Sequence, residues 1–577
     1  MKRIFILILV SSTLFANSQT NLKLTNTLVE QVLTGNYNPK SFYPSIVTSN
    51  KSEIVNGLLN QINTDSVKSY LFQLEKFYTR NTGSDTVSAQ KGIGAARRWA
   101  FNKLESFKSN SPLLTSYFQF DQNICNISQH RNILATLPGT DTTLKEVCLV
   151  EAHLDSRCET SCDTTCLASG MEDNGSGVAL VLELARVMSK YNYKRTLVFM
   201  LTVGEEQNLN GSTAFAQYCA DKKIKIYTVL NNDIVGGIIC GKTASPPGCP
   251  GENNVDSTNV RLFSFGTNAS LHKGLARFIK LQYLDEIFNL STVKSTINIM
   301  NAEDRTGRGG DHIPFRQKSF SAIRLTSANE HGDANPIAGY QDRQHSSRDI
   351  LGKDINGDSQ LDSFFVNANY LKRNAIINGN ALAMAAMGPN TPTFTIANDG
   401  NGINIKIVSN TNYPFYKIGF RNKTNDFDTL ITANTNEYRA FHVRKDSIYF
   451  VSVCAVDENG IESLFSIEQF VRVTNSPALG NIEFTNNKSG AQLLSIIPNP
   501  FDETTTFSII ANQNLKGKIA TIIVTDLTGK QIEKTKIQLT EGINEILFEP
   551  NQSKGKMFIA TLLVNDKIIE TAKVYFR

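Results

Sequence analysis

From about residue 53 the apolar positions recur at helical spacing: Val55, Leu58, Leu59 and Ile62, then Leu71, Leu74 and Phe77. A second helical stretch covers 95–107 and carries Trp99, the only Trp of the chain. Between 117 and 387 the pattern alternates. Apolar, β-rich runs at 147–152, 196–203, 227–235, 261–265 and 322–326 are separated by helical stretches. After Gly177 one helical face is drawn by Val178, Val181, Leu182, Ala185 and Met188. Continuous apolar strands alternating with helices predict a sheet covered on both faces, an α/β three-layer sandwich with a mostly parallel central sheet. A site in such a sheet belongs beyond the carboxyl ends of the strands.

Gly388-Pro-Asn-Thr-Pro392 ends this pattern. Residues 389–474 alternate like strands separated by turns, as in Tyr449–Val456 followed by Asp457-Glu-Asn-Gly460, and predict a β-sandwich. Residues 475–491 are a Ser/Asn/Gly/Pro-containing linker, and 492–577 form a second small all-β unit. The α/β domain therefore spans 53–388. Residues 19–52 are polar and read as a loose N-terminal extension or short pro-segment. No internal repeat is evident.

Composition narrows the class. In 577 residues, 58 Lys+Arg against 53 Asp+Glu leave a net charge of +5, and charged residues make up 19%. That gives no support to nucleic-acid binding, which would show a strong basic bias. No apolar run is long enough to span a membrane. Met1-Lys-Arg followed by an apolar stretch to Val10, with Ala16-Asn-Ser18 beyond it, has the form of a secretory signal peptide over 1–18. Export would allow the cysteines to oxidise. Nine cysteines are too few for a disulfide scaffold, and an odd number leaves at least one unpaired or paired between chains.

The candidate chemistry sits just after the predicted strands. The first ends in His153-Leu-Asp155, and Asp173-Asn-Gly-Ser-Gly177 precedes the next helix. The second strand ends in Gly204-Glu205-Glu206, the third carries Asn232-Asp233, and His345-Ser-Ser-Arg-Asp349 comes far downstream. Each alone has a bland reading: a structural histidine, a solvated Glu-Glu turn, a helix cap. Together they bring nitrogen and carboxylate ligands to one sheet edge. Two histidines and three carboxylates suit zinc, and a metal pair needs a carboxylate able to bridge it.

In this order the motifs resemble metallopeptidase family 28, the di-zinc group of aminopeptidases and glutamate-carboxypeptidase-like enzymes. The resemblance spans about 53–387. It implies that His153 and Asp233 bind one zinc, that Glu206 and His345 bind the other, and that Asp173 bridges both. Glu205 would be the general base. Asp155 would hold the far nitrogen of His153 and Asp349 would do the same beside His345. Ser346 stands where the family usually has Thr. Gly310-Asp-His-Ile-Pro-Phe315 resembles a family segment near the site, so Asp311 and His312 are expected to shape it without binding metal. His331 is a rival late ligand. The activity implied is that of an exopeptidase acting on peptide or protein substrates, an aminopeptidase on the family's usual habit. The alternatives are a carboxypeptidase of the same family, a single-zinc glutaminyl cyclase and an inactive surface-binding protein. The stretch Ala302-Glu-Asp-Arg-Thr-Gly-Arg308 offers acids for a substrate amine and arginines for a substrate carboxylate.

Cys158, Cys162 and Cys166 lie between two site motifs, so at least one disulfide is expected at the rim. Cys240–Cys249 is a second expected pair, and Cys454 is expected to be a buried free thiol. Asp354, Asn356, Asp358 and Asp362 resemble the start of an EF-hand or dockerin loop and raise a structural calcium beside a plain polar loop. Ser359 and Phe365 depart from that pattern. The strand and turn of 449–460 resemble a fibronectin type III module. Ile497-Pro-Asn-Pro-Phe501, Asp526-Leu-Thr-Gly-Lys530, Gly542-Ile-Asn544 and a late strand resemble the C-terminal sorting domain of type IX secretion, although Lys573-Val-Tyr-Phe-Arg577 departs from its usual end. That resemblance implies type IX secretion machinery as a partner and release or attachment at the outer cell surface. Nothing in the sequence sets the oligomeric state.

Overall fold

The computed structural model describes residues 19–42, 50–109, 111–141, 143–242, 251–305, 308–329, 342–398, 402–422, 424–440, 443, 447–473, 491–497, 501, 504–550 and 556–576. The expected signal peptide over 1–18, Cys249, His331 and nearly all of the expected linker lie outside these.

Nine strands make the main sheet: β1 (Thr20–Leu24), β2 (Leu114–Ile124), β3 (Ile127–Leu137), β4 (Val147–His153), β5 (Thr196–Thr202), β6 (Ile226–Asn232), β7 (Asn259–Ser264), β8 (Thr296–Ile299) and β9 (Ala322–Ser327). Their order is β1-β2-β3-β5-β4-β6-β9-β7-β8. The sheet is mixed, not mostly parallel. The pairs β4–β5, β4–β6, β6–β9 and β7–β8 are parallel, whereas β1–β2, β2–β3, β3–β5 and β7–β9 are antiparallel. The parallel strands hold the centre. The antiparallel side comes from a hairpin that the apolar runs did not reveal. There β2 and β3 turn about Cys125 and Asn126, both at positive φ (47° and 70°), the geometry that matches strand twist in two-residue turns.

The helices are α1 (Thr27–Leu33), α2 (Lys51–Gln61), α3 (Thr64–Glu75), α4 (Gly92–Glu105), α5 (Ser176–Met188), α6 (Asn210–Asp221), α7 (Leu271–Gln282), α8 (His312–Gln317) and α9 (Ala368–Met387). The first helical stretch of the sequence is two helices. The side chain of Asn63 caps α3 by accepting from Ser66 N, which breaks the run after Ile62. The segment expected to be a loose extension is part of the fold. Residues 20–24 pair with β2 at the sheet edge, and α1 buries Val29, Val32 and Leu33. Its polar residues face outward and mask this short apolar stripe.

The connection β4–α5–β5 runs one way along the sheet and β5–α6–β6 runs the other. Right-handed crossovers therefore put α5 and α6 on opposite faces. Helix α5 was expected to show one apolar face, but every residue except Arg186 is buried. It lies between β4 and β5 and the helices α2, α3, α4 and α9. Helices α6 and α8 pack together on the other face. The strand order reverses between β5, β4 and β6, so the crevice beyond their carboxyl ends is where ligands bind in such sheets.

Two short strands, β10 (Gly352–Lys353) and β11 (Ser363–Phe364), pair before α9. Seven more form a sandwich: β12 (Thr393–Asn398), β13 (Ile403–Val408), β14 (Phe415–Arg421), β15 (Thr429–Ala433), β16 (Glu437–Ala440), β17 (Ile448–Val456) and β18 (Gln469–Arg472). Its sheets are β12-β13-β16 and β15-β14-β17-β18. The last seven are β19 (Ala491–Ile497), β20 (Thr505–Ala511), β21 (Ile519–Asp526), β22 (Gln531–Gln538), β23 (Gly542–Phe548), β24 (Lys556–Val564) and β25 (Lys567–Phe576). They pair as β19-β20-β23 and β22-β21-β24-β25, the same topology again. The chain thus repeats a fold where its sequence shows no repeat, because strand alternation constrains only polarity and leaves residue identity free.

The sandwiches dock on the α/β domain through one buried and one half-buried glutamate. Glu468 accepts from Arg421 Nε at 2.6 Å and lies 2.9 Å from Arg277 Nη1 of α7. Glu545 accepts from the backbone N–H groups of Thr267 (3.0 Å) and Asn268 (2.7 Å).

Candidate metal centre

Strand β4 ends in His153, whose Nδ1 lies 3.1 Å from the backbone carbonyl of Asp155. That carbonyl can only accept, so Nδ1 carries a proton and Nε2 is the nitrogen turned to the crevice. The Asp155 carboxylate does not hold this ring as expected, since its nearer oxygen is 3.8 Å away. It accepts instead from Thr82 Oγ1 (3.0 Å) and the backbone N–H groups of Glu205 (3.3 Å) and Glu206 (3.2 Å). Asp155 therefore pins the Glu-Glu turn after β5, and the ring is oriented by main chain.

Asp173 sits just before α5 and divides its two oxygens. Oδ1 lies 3.1 Å from His153 Nε2 and Oδ2 lies 3.1 Å from His345 Nε2. Asp233 Oδ1 is 3.4 Å from His153 Nε2, and Glu206 Oε2 is 3.3 Å from His345 Nε2. Two triads result, His153–Asp173–Asp233 and Asp173–Glu206–His345, each with its ligand atoms within 4.8 Å of one another. The structure thus brings together all five residues expected to bind metal. Glu206 Oε1 is buried with no partner, an unsatisfied acceptor that a cation would satisfy. Imidazole nitrogens and carboxylates are the donors zinc takes, and one carboxylate spanning two triads is what a metal pair requires. The residues present fit zinc.

The scaffold around Asp173 is dense. Asp349 was expected beside the far nitrogen of His345. Its carboxylate instead accepts from the backbone N–H groups of Glu172 and Asp173, both at 2.9 Å. Gln344 donates to Asp173 Oδ2 at 2.9 Å. Asn174 accepts from Gly177 N and Ile234 N and donates to Asn232 O. A Cβ on Gly177 would stand 2.3 Å from Asn232 O, so only glycine lets α5 approach β6 this closely. Ile234 and His345 both hold positive φ (59° and 53°), uncommon for side-chain-bearing residues and a genuine outlier for β-branched Ile.

Burial and charge oppose each other here. Burial pushes the Asp173 carboxyl up, but hydrogen bonds from His153 and His345 outweigh it and hold the group well below the usual range. For Asp233 burial is likewise overcome, by Arg324 and then His153. Glu205 goes the other way: burial, reinforced by Asp233 and Glu206, lifts it well above the ordinary carboxylate range against the pull of His153. Burial also raises Glu206 to about 7 against His345.

Asp311 and His312 lie behind the centre and belong to neither triad. Asp311 accepts from Thr202 Oγ1 and Ser212 Oγ, and His312 Nε2 meets Glu303 O at 3.2 Å. Several residues escaped the sequence reading. Arg324 lies 3.2 Å from Asp233 Oδ2 and also pairs with buried Asp304. A lone arginine inside the apolar strand 322–327 was its signal. Thr82 and Arg80 carried none, because they reach the site from a loop before α4. Arg80 donates to the carbonyls of Leu154, Ser169 and Gly170 and closes the neck of the loop between them. That loop is stapled by Cys158–Cys166 and tied to the β2–β3 turn by Cys125–Cys162. Cys240 is also disulfide-bonded, and Cys148, Cys219 and Cys454 are buried free thiols. In the 354–362 loop the carboxylates of Asp354, Asp358 and Asp362 accept from the loop's own backbone N–H groups, and among the described residues they form no converging cation set.

A switch-point crevice holding two imidazoles, three carboxylates of which one is shared, and one further glutamate beside them defines a metal-dependent hydrolase. Residues 132–244 match the model of peptidase family M28, and that span holds His153, Asp173, Glu205, Glu206 and Asp233. This segment match, which covers less than half of the chain, and the zinc-metalloprotease relatives support a peptide hydrolase. A "Probable zinc metalloprotease" of Pyrenophora tritici-repentis is 30% identical over 294 residues, 48% of this chain and 66% of that protein. One of Pyrenophora teres f. teres is 26% identical over 448 residues, 74% of this chain and 89% of its own length. Among solved structures, the Legionella pneumophila LapA aminopeptidase is 18% identical with a TM-score of 0.41, covering 58% of this chain and 75% of that one. The Porphyromonas gingivalis glutaminyl cyclase is 17% identical with a TM-score of 0.38, covering 56% and 97%.

Proposed function

We propose that this chain is a secreted di-zinc exopeptidase that removes amino-terminal residues from peptides, with Glu205 as general base. The observation that carries the reading is the division of Asp173 between two histidines, with Glu205 beside the triads and outside both. A zinc pair held by these residues would supply Lewis acidity, drawing the pKa of a bound water towards ~7 and polarising the scissile carbonyl. The chain supplies the rest. His153, Asp233, Asp173, Glu206 and His345 are committed as ligands. The Glu205 carboxylate accepts no hydrogen bond from a described residue, so it is available to take the proton of the attacking water and return it to the leaving amine. Its backbone N–H is fixed by Asp155, which sets the turn from which the side chain acts.

Glu205→Gln tests the assignment. The variant keeps two zincs per chain and loses at least ~10²-fold in kcat, the scale of a lost general base. Near-normal turnover in the metal-loaded variant would refute the role. Mass spectrometry of a digested peptide mixture shows which end is trimmed, and cyclisation of an N-terminal Gln peptide in its place would favour the cyclase.

Export is part of the same proposal. It rests on the basic-then-apolar start over 1–18 and on the motifs of 492–577, read as a type IX sorting domain behind a fibronectin type III-like module. None of the candidate metal ligands lies in either sandwich. Secretion of a chain lacking 492–577 at the normal level would contradict the sorting role.

A further inference from the structure

Arginines gather on one half of the centre. Arg157, at the start of the disulfide-stapled loop, donates from Nε to Glu206 Oε2 at 2.9 Å and from Nη2 to His345 Nδ1. Arg308 Nη1 lies 3.4 Å from the same His345 nitrogen. Glu303 pairs with Arg316 at 2.7 Å, and Asp304 pairs with Arg324 at 2.5 Å. The stretch that offered a choice between substrate amine and substrate carboxylate thus turns its cation towards the site. On the other half, Arg324 is 2% exposed and paired with two aspartates, so it is structural.

Arg157 differs. Its side chain is 20% exposed, and its Nη1 donates to no described residue. Glu206 Oε2, which it contacts, is also the oxygen that faces His345 Nε2. A divalent cation held by Asp173, Glu206 and His345 would take over the charge of that oxygen. It would also require the proton on His345 Nδ1, which then repels a guanidinium that can only donate. The guanidinium would then be free to turn towards a substrate, from a loop closed by the Cys158–Cys166 disulfide.

We infer that Arg157, flanked by Arg308, is a specificity-determining subsite for a substrate carboxylate close to the scissile bond. The inference rests on the peptidase reading and names its substrate class: short peptides whose C-terminal α-carboxylate or acidic side chain reaches the guanidinium as a charge-assisted, bidentate partner.

The test uses the zinc-loaded full chain and two substrate pairs, Leu-Gly against Leu-Gly-amide and Leu-Glu-amide against Leu-Gln-amide. Wild type prefers the charged member of one pair by about tenfold or more in kcat/KM, through KM, as a charge-assisted bond implies. The pair that shows the preference identifies the α-carboxylate or the side chain as the source. Arg157→Gln collapses the ratio towards one, and Arg157→Lys restores part of it. Chelator-competition titration of the metal-free chain gives a second readout. Zinc binds more tightly at its weaker site in Arg157→Gln, because a competing cation has gone. A charged-to-neutral ratio that is absent in wild type or unchanged in Arg157→Gln overturns the subsite. Unchanged zinc affinity overturns the placement of Arg157 on Glu206. Failure to hydrolyse any of the four peptides or Leu-p-nitroanilide would defeat the peptidase reading instead, and the zinc titration still decides where Arg157 sits.

Discussion

Replacing Asp349 by Asn tests how Asp173 is held across both triads. The two Asp349 oxygens accept from the N–H groups of Glu172 and Asp173 at 2.9 Å each. Asparagine offers one oxygen and one NH2, so one backbone N–H must face another donor. A hydrogen bond to a charged group contributes about 1.5–3 kcal/mol, and a buried N–H left unpaired costs about 1–3 kcal/mol. Part of this is offset, because burial already lifts the Asp349 carboxyl to about 6 and asparagine removes the penalty of a buried charge. A net loss of about 2–3 kcal/mol corresponds to roughly 30–150-fold in any equilibrium that needs this geometry. Asp173 serves both triads, so on the proposed di-zinc reading affinity should fall at both sites together, with overall secondary structure by circular dichroism unchanged. Competition with a chromogenic chelator measures the two affinities. Two zincs bound within about threefold of wild type would refute the reasoning, and would mean that Gln344 and the Asn174 bonds suffice to hold Asp173.

Two further predictions concern stability away from the metals. His272 accepts from Ala322 N at 3.1 Å, and burial, helped by Arg316 and His312, depresses its pKa to about 4. Its contribution is complete above the unfolded value of 6.5 and is lost as pH falls towards 4, about 3 kcal/mol at ~1.36 kcal/mol per unit. His272→Gln should flatten that share of the acid loss in urea unfolding between pH 7 and pH 4, and an unchanged slope would count against it. Glu468→Gln leaves the buried guanidinium groups of Arg277 and Arg421 without their counter-charge, at a cost of about 3–5 kcal/mol. A change below about 1 kcal/mol in denaturant titration would show that the triad does not hold the first sandwich to the α/β domain.

The parallel centre was legible because its strands are buried on both faces and therefore read as unbroken apolar runs. The residues at their ends could then be collected from order alone, which is how His153, Asp173, Glu206, Asp233 and His345 could be gathered from five distant segments. The antiparallel side was not legible. Strand β2 carries Ser116, Gln119, Asp121 and Gln122 among its apolar residues, and a five-residue edge strand such as β1 leaves too short a trace. The roles of Asp155 and Asp349 were misread for a related reason. A sequence shows which carboxylates stand near a histidine, but not whether they face its ring or the backbone beside it. Here both face backbone N–H groups, and the carbonyl of Asp155, invisible to any motif, orients His153.

The two halves of the centre are built on different supports. His153 and Asp233 stand on the ends of β4 and β6, and buried Arg324 from β9 backs Asp233 within the same sheet. Glu206 and His345 stand on loops, one pinned through its backbone by the Asp155 carboxylate and the other in a left-handed conformation. A site on strands is held more rigidly than one on loops, so the loop-borne half needs other restraint. It comes from the 156–169 segment. Ser161 O accepts from Asn81 and Gln207, Ser161 Oγ donates to Glu206 O, and two disulfides close the segment on itself and on the β2–β3 turn. The cysteines between the first two site motifs thus brace the half that the sheet does not, and they carry Arg157 on the same brace. A substrate-reading arginine placed there can adjust when metal binds without loosening the strand-borne half, on which His153 and Asp233 depend.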